Sequence, residues 1–326
     1  MKNNEKNSNK IEIPIELANY KGLKIKRNKS KVEKEEIDKS LDYLRQSRAK
    51  IITVNKSAKK GNQIEIDFEI RQGEVKIEDG TSKNHPLILG DGKFLPGFEK
   101  ELEGMSAGQG KEFSLKAPSD WLDKRIADKN LDFKVKMNSV QEREVPELND
   151  EFAKSLGQFD SLDALKKNIE EGLLEEKEIK ENQRIKLELI EMVATESKME
   201  IPDSLIEQEV ERMLAEFKFS INNIGLDFDR YLKEIKKTID EIKKEWRIQA
   251  EERVRITLCL RAIADKENIQ IFEEELTERI NQDLKNYPNT EEVKKNIDPN
   301  ALREYTKEVL RNEKVLGLIE KEANIT

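Results

Sequence analysis

Hydrophobic and polar positions change their spacing along this chain. In QIEIDFEIR (63–71), Ile64, Ile66, Phe68 and Ile70 alternate with polar residues. A period of two puts every second side chain on one face, so this stretch predicts a strand with one buried face. KEFSLKAP (111–118) and LDFKVKMNSV (131–140) alternate in the same way and predict two more strands. The intervening stretch 72–98 is dense in Gly and Pro and predicts loops around short strands. FEKELEGM (98–105) predicts a short helix ended by Gly104, since glycine tolerates the left-handed cap. Most of the glycines fall within 56–143, which reads as a compact β-rich domain with one short helix.

Either side of that domain the texture differs. Residues 1–10 are rich in Asn and Lys and predict a disordered tail. The stretch 11–27 reads as extended, with breaks at Pro14 and Gly22, and 32–51 reads as a helix marked by Val32, Ile37, Leu41, Leu44 and Ile51. Together 11–55 form an expected linker that packs toward the helical part. From 144 to 326 the period is helical throughout. Leu162, Leu165, Ile169, Leu173 and Leu174 begin one helix that continues to Val193. Pro202 opens the next, and 228–269 is a long helical stretch with one expected break. Helices over 272–287 and 301–323 follow, with Pro288 and Pro299 bracketing the loop between them. The fold class expected is α+β multidomain: a small antiparallel β-sheet domain with one short helix, and an elongated all-α domain.

Composition supports that picture and excludes several functions. Charged residues make up 39% of the 326 positions and hydrophobic ones 36%, which suits long helices with much solvated surface. The net charge of -8 argues against a chain built to hold phosphate backbones, so no nucleic-acid partner is expected. No apolar run approaches the ~20 residues of a membrane span, and the start has no apolar core of the signal-peptide kind. With a single cysteine, Cys259, no intramolecular disulfide can form, and a cytoplasmic location is expected.

Few side chains invite covalent chemistry. His85 is the sole histidine, so Ser-His-Asp and Cys-His schemes would need His85 itself as base. It precedes Pro86 with no nucleophile nearby and reads as a loop residue. Cys259, between Leu258 and Leu260, reads as a buried inert thiol. The acidic run 273–275 reads as a solvated helix face, and GDGKF lacks the spacing of a phosphate loop. No metal and no cofactor is expected.

Two stretches carry a family resemblance. LILGDGKFLPGFEKELEGMSAGQGKEFSL (87–115) resembles the FKBP-type isomerase fold, with an apolar pair before Pro-Gly-aromatic-Glu, a short helix and Met-x-x-Gly. VPELNDEFAKSLG (145–157) resembles the junction into the C-terminal domain of the trigger-factor family, and 199–213 and 253–271 match further along in the family's order. The resemblance implies an isomerase domain over 56–143 and a chaperone domain over 144–326. It implies an ATP-independent chaperone of unfolded or nascent polypeptide that isomerises X-Pro bonds. The family's ribosome-docking domain, with its Gly-Phe-Arg-x-Gly-Lys loop, has no counterpart here, which puts ribosome docking in doubt. A homodimer is left open.

The resemblance also nominates residues. Phe68, Phe94, Leu95, Phe98 and Phe133 match the catalytic pocket, with Phe98 at its floor; Glu78, Leu87 and Trp121 match substrate-binding positions. Taken singly, Phe68, Phe113 and Phe133 are ordinary core aromatics. Glu69, Ile70 and Ile77 depart from the family's pattern, and they motivate an alternative in which the β domain is a non-catalytic binding module and the chain a holdase. A third reading, a helical adaptor for one partner, would need strict heptads, and the spacing of 228–269 drifts. In the helical part Met192, Met199, Met213 and Phe228 read mostly as core. Phe217 and Phe219 lie in FKFSINNIGLDF (217–228), an apolar stretch at a helix–helix turn, and are the expected client contacts.

Overall fold

A computed structural model describes residues 13–121, 126–285 and 298–326, the side chains of 78 and 79 excepted. The chain divides into two compact units. One comprises Lys31–Leu174; the other comprises the described residues before 31 together with those of Glu175–Thr326.

In the Lys31–Leu174 unit, α1 (Lys34–Ser47) is followed by strands β3 (Lys50–Thr53), β4 (Gln63–Gln72), β5 (Val75–Ile88), β6 (Gly110–Lys116) and β7 (Asn130–Glu144). The helix ends before Ile51, and Ile51-Ile52-Thr53 is extended instead: a β-branched run loses rotamer freedom in a helix and fits a pleated surface. All strand pairs are antiparallel. The long β7 takes β4 along one side, and β6 and then β3 along the other. β5 closes the edge beyond β4.

The alternation in the sequence reappears as burial. Ile64, Ile66 and Phe68 of β4 and Leu131, Phe133, Val135 and Met137 of β7 all point into one core. Helix α2 (Phe98–Leu102) lays Phe98 and Leu102 onto it, both wholly buried. Fully burying such a side chain is worth roughly 1.5–3 kcal/mol. The stretch 72–98 departs from the expected short strands. β5 is one strand of fourteen residues, irregular in register against β4. Two residues disguise it. Pro86 lacks a ladder donor, which an edge strand tolerates. Gly80 sits where a Cβ would come within 2.9 Å of the Ile77 carbonyl oxygen, so the irregular strand needs glycine there. A second cluster joins Leu41 of α1 to Phe152 and Ala153 of α3 (Asp150–Leu156) and Leu165 at the start of α4 (Leu162–Glu196).

The other unit is helical, with two short strand pairs. The end of α4 packs Ile185, Leu189, Ile190 and Val193 against Cys259, Leu260 and Ile263 of α7 (Ile239–Lys266) and Val315 and Ile319 of α9 (Pro299–Glu322). The segment before residue 31 straps this bundle. β1 (Ile15–Glu16) pairs antiparallel with β8 (Lys198–Met199), and β2 (Lys24–Ile25) pairs parallel with β9 (Asn324–Ile325). Tyr20 donates to Glu267 at 2.6 Å; burial and that hydrogen bond push its phenol up to about 12. α5 (Asp203–Asn223) packs Ile206, Val210 and Met213 against Ala250 of α7. The expected break lies between α6 (Phe228–Ile235) and α7, where Lys236 is left-handed at φ 54. Thr238 and Glu241 then cap α7 reciprocally. α8 (Glu273–Lys285) packs beside α9. Pro288 lies outside the described residues, and Pro299 is the first residue of α9.

Glu181 fastens the strap. Its carboxylate accepts from the Asn28 amide at 2.7 Å and from Arg184 at 2.7 Å, while Arg184 donates to the Lys26 carbonyl at 2.8 Å. Arg184 first, and then the Asn28 amide, hold the Glu181 carboxyl down at about 2. A depressed carboxyl contributes stability that is present above the unfolded range, near ~4.3, and is lost as pH falls toward about 2. Glu181→Gln should therefore lower the thermal midpoint at neutral pH and flatten the acid side of the stability curve. Paired melts of wild type and variant from neutral pH down to about 2 check this.

Candidate functional site

In the sheet unit, side chains from four segments belong to one buried core cluster. Phe68 comes from β4, Leu87 from β5, Phe98 from α2 and Phe133 from β7, and all four are buried. Phe94 and Leu95 come from the loop before α2; Leu95 is buried and Phe94 half-buried. Trp121 packs half-buried against the same cluster. The residues nominated from the sequence for the pocket thus belong to one core cluster, except Glu78, whose side chain lies outside the described residues; ring contacts link Phe68, Phe94, Phe98 and Phe133, whereas Leu87 lies opposite Ile64, further along the ladder.

The rings are ordered. Phe94 lies flat on Phe98, with centroids 4.3 Å apart and planes at 16°. Phe98 meets Phe133 edge-on at 5.1 Å, and Phe133 stacks on Phe113 at 5.4 Å. Phe68 stands perpendicular to Phe94 at 5.5 Å. Offset-stacked and edge-to-face pairs are the arrangements that the ring quadrupole favours. Phe133 is thereby a buried support beneath Phe98 and presents almost no surface of its own.

Backbone chemistry sets the loop. Gly97 has φ 93, and a Cβ there would lie 3.3 Å from Leu115, so the turn into α2 selects glycine. The Glu99 carboxylate reaches back to accept the amides of Gly90 at 2.6 Å, Gly92 at 3.2 Å and Lys93 at 3.1 Å. Three charge-assisted bonds to one carboxylate pin the loop that carries Phe94 and Leu95. Sequence reasoning used this glutamate as part of a motif and assigned it no role; its separation from three loop amides is visible only in the fold.

The departures from the family pattern fall in two places. Glu69 takes part in ion pairs with Lys76, at 2.7 Å, and Arg71; these two partners hold its carboxyl below the ordinary range. Ile70 and Ile77 pack against the core cluster as aliphatic side chains.

His85 needs a correction. It is a strand residue of β5, not a loop residue, and its ring stands edge-on to Phe68 at 5.4 Å and to Phe94 at 5.6 Å. The signal was in the sequence: Leu89 and Leu87 face inward, so the period of two puts position 85 on the same face. Pro86 hid it.

In the helical unit the two nominated phenylalanines separate. Phe217 is half-buried and meets Phe228, Tyr231 and Trp246 edge-on at 5.8, 5.6 and 5.4 Å. Phe219 is 66% exposed, and Ile224 at 69% and Leu226 at 44% are exposed in the turn that follows α5.

Comparison with known proteins agrees with this architecture. The family model for FKBP-type peptidyl-prolyl cis-trans isomerase matches residues 54–138, and that for the bacterial trigger factor C-terminus matches residues 161–321. The trigger factor of Caldicellulosiruptor bescii is 32% identical over 316 residues, covering 97% of this chain and 72% of the relative. That of Carboxydothermus hydrogenoformans is 34% identical over 287 residues, covering 87% and 67%. A solved trigger factor chaperone, described for promiscuous substrate recognition in folding and assembly, shares the fold at a TM-score of 0.54 and 19% identity, covering 95% of this chain and 73% of its own. Two domain models in the family's order, and relatives above 30% identity over most of both lengths, place the chain in the trigger factor family, chaperones of unfolded polypeptide that carry an FKBP-type peptidyl-prolyl isomerase domain.

Proposed function

We infer that the ring cluster of the sheet unit is the prolyl site and that the exposed turn after α5 is a client contact. One observation carries the first reading: Phe68, Phe94, Phe98 and Phe133, from separate segments, are linked by ring contacts, within the core cluster that also holds Leu87, Leu95 and Trp121. Rotation about an X-Pro bond faces a barrier of ~18–20 kcal/mol and needs no covalent step. Water stabilises the planar amide, with its charge separation, more than the twisted one. A pocket that grips the prolyl ring and excludes water lowers the barrier by that difference.

Several of these residues have distinct parts. Phe98 offers the floor, and Phe133 supports it from beneath. Phe94 covers that floor at 4.3 Å, so a prolyl ring stacks on Phe98 once Phe94 turns aside. The loop of Phe94 and Leu95 presents backbone to the peptide, and Glu99 holds that loop in shape. In the helical unit, Phe219, Ile224 and Leu226 form the contact, while Phe217 builds the aromatic cluster behind them. Scattered apolar side chains on a charged surface bind many sequences weakly and release them. Cys259, buried and unpaired, suits a reducing compartment, and the protein's place of work is taken as the cytoplasm.

Four substitutions test these parts. Phe98→Ala removes a wholly buried ring and should abolish catalysis on an Xaa-Phe-Pro peptide, but it also costs about 3–5 kcal/mol of packing. Glu99→Gln is the cleaner variant. Weakening a charged clamp by about 1.4 kcal/mol should cut kcat/KM about tenfold and lower the melting midpoint by only several degrees, less than Phe98→Ala does. Unchanged catalysis in folded Glu99→Gln would remove the loop from the site. In aggregation assays Phe219→Ser should weaken client protection and leave the midpoint in place, whereas Phe217→Ser should lower the midpoint itself. The reverse pattern would exchange their roles.

A further inference from the structure

The β4–β5 ladder carries an irregularity with a specific effect. Ile66 faces His85, but Phe68 faces Ser82, so Lys83 and Asn84 bulge out of register. Asn84 is left-handed at φ 49, a conformation asparagine tolerates better than most residues. From the outer face, the Asp67 carboxylate accepts the Asn84 amide at 2.8 Å and the Asn138 side-chain amide at 2.6 Å. Asn138 also donates to the Asn84 side-chain oxygen at 2.9 Å. The first two bonds, Asn84's above all, hold the Asp67 carboxyl below its ordinary range. The bulge is thus fixed from outside, and it sets His85 between Phe68 and Phe94 on the inside.

There the imidazole completes a trio of mutually perpendicular rings. His85 meets Phe68 at 77° and Phe94 at 80°, and Phe68 meets Phe94 at 89°. Phe94 is the ring that lies on Phe98. Among the described residues nothing hydrogen-bonds or ion-pairs with the His85 ring, and the neighbouring charges are engaged elsewhere. On β4, Glu65 accepts from Ser139 and Asp67 is bound to the bulge. On β5, Lys83 lines the outer groove with Asp67 and Glu69. On the loop of Phe94, Lys93 pairs with Asp91 at 3.2 Å, and on α2 Glu99 is bound to three amides.

We propose that His85 is a wall of the prolyl site and that its protonation weakens binding of X-Pro peptides. This rests on reading the ring cluster as the isomerase site. Two effects act in the same direction. A cation within ~6 Å of a phenyl centroid is attracted to the ring, so imidazolium holds Phe94 more firmly over Phe98. A charge in the wall also keeps water about it, which the entering prolyl ring must displace. The neutral ring does neither, and its unpartnered N–H is free to donate to a peptide carbonyl. Isomerisation transfers no proton, so a pocket walled only by phenyl rings would be indifferent to pH across ~5–8, the range in which histidine is the side chain that changes charge. Asp67, with its carboxyl held down, stays ionised across that range.

The test titrates the full chain with the peptide Ala-Leu-Pro-Phe, followed by NMR at about pH 5.5 and about pH 8, with cis–trans exchange of the peptide recorded in the same samples. The wild type should bind about fivefold more weakly at the lower pH. His85→Phe, which keeps a ring, and His85→Gln, which keeps a polar neutral group, should each bind equally at both. Exchange rates at saturating peptide should differ much less with pH than the dissociation constant does. A pH-independent wild-type constant with catalysed exchange intact overturns the role of His85 and leaves the site standing. A slope that persists in His85→Phe overturns it too. Absence of peptide-induced shifts around Phe98 at either pH overturns both the role and the site.

Discussion

The ring of Phe98 is the contact on which the sheet unit is organised. It is wholly buried and touches three other phenyl rings: Phe94 above, Phe133 below and Phe113 to the side. Through Phe133 and Phe113 it ties α2 to the central strand β7 and its neighbour β6. Through Phe94 it ties the loop before α2 to the same stack. That one ring anchors a helix of only five residues, too short to be stable by itself. It is also the surface on which a prolyl ring would rest, so folding and catalysis make the same demand. Gly97 and Glu99, its two neighbours, serve that placement, one by its left-handed turn and the other by holding three loop amides.

The helical unit solves a different problem. Its bundle core of α4, α7 and α9 is closed by a strap from the start of the chain and by the last residues, paired strand to strand. Tyr20 and Ile25 of the strap are buried in that core, and polar contacts reinforce it: the Lys21–Glu267 ion pair, and Glu181 and Arg184 bonded to the strap's backbone. The pair α5 and α7 carries its own smaller cores, ending in the cluster of Phe217, Phe228, Tyr231 and Trp246. Beyond that cluster the apolar residues Phe219, Ile224 and Leu226 are left to solvent. A stable scaffold with exposed apolar side chains is what weak, unselective binding requires.

Much of this was legible in the sequence. The alternation in β4 and β7, the helical period after 144 and a single break somewhere in 228–269 needed only the spacing of Ile, Leu and Phe; the break's place at Lys236 came from the fold. The Pro-Gly-Phe-Glu motif located the loop and α2. What was hidden has physical causes. β5 was obscured because Gly80 and Pro86 are ordinarily strand breakers; steric crowding at Ile77 and an edge position excuse them. Ile51 continued the helical count of α1, but a β-branched run decided for a strand. His85 was passed over because Pro86 broke the alternation that places it. Phe217 and Phe219 sit two apart on one helix and so face different ways, a separation of roughly 200° that spacing alone foretells but that packing must resolve.

The most direct test of the central claim is to see which protons of the protein a bound prolyl ring approaches. Intermolecular nuclear Overhauser effects between a saturating X-Pro peptide and the selectively labelled protein would show this. The account predicts contacts from the prolyl ring to Phe68, Leu95 and Phe98, with Phe94 displaced from its stack on Phe98. Prolyl contacts confined to Phe219 and the turn after α5, with Phe94 still flat on Phe98, would contradict it.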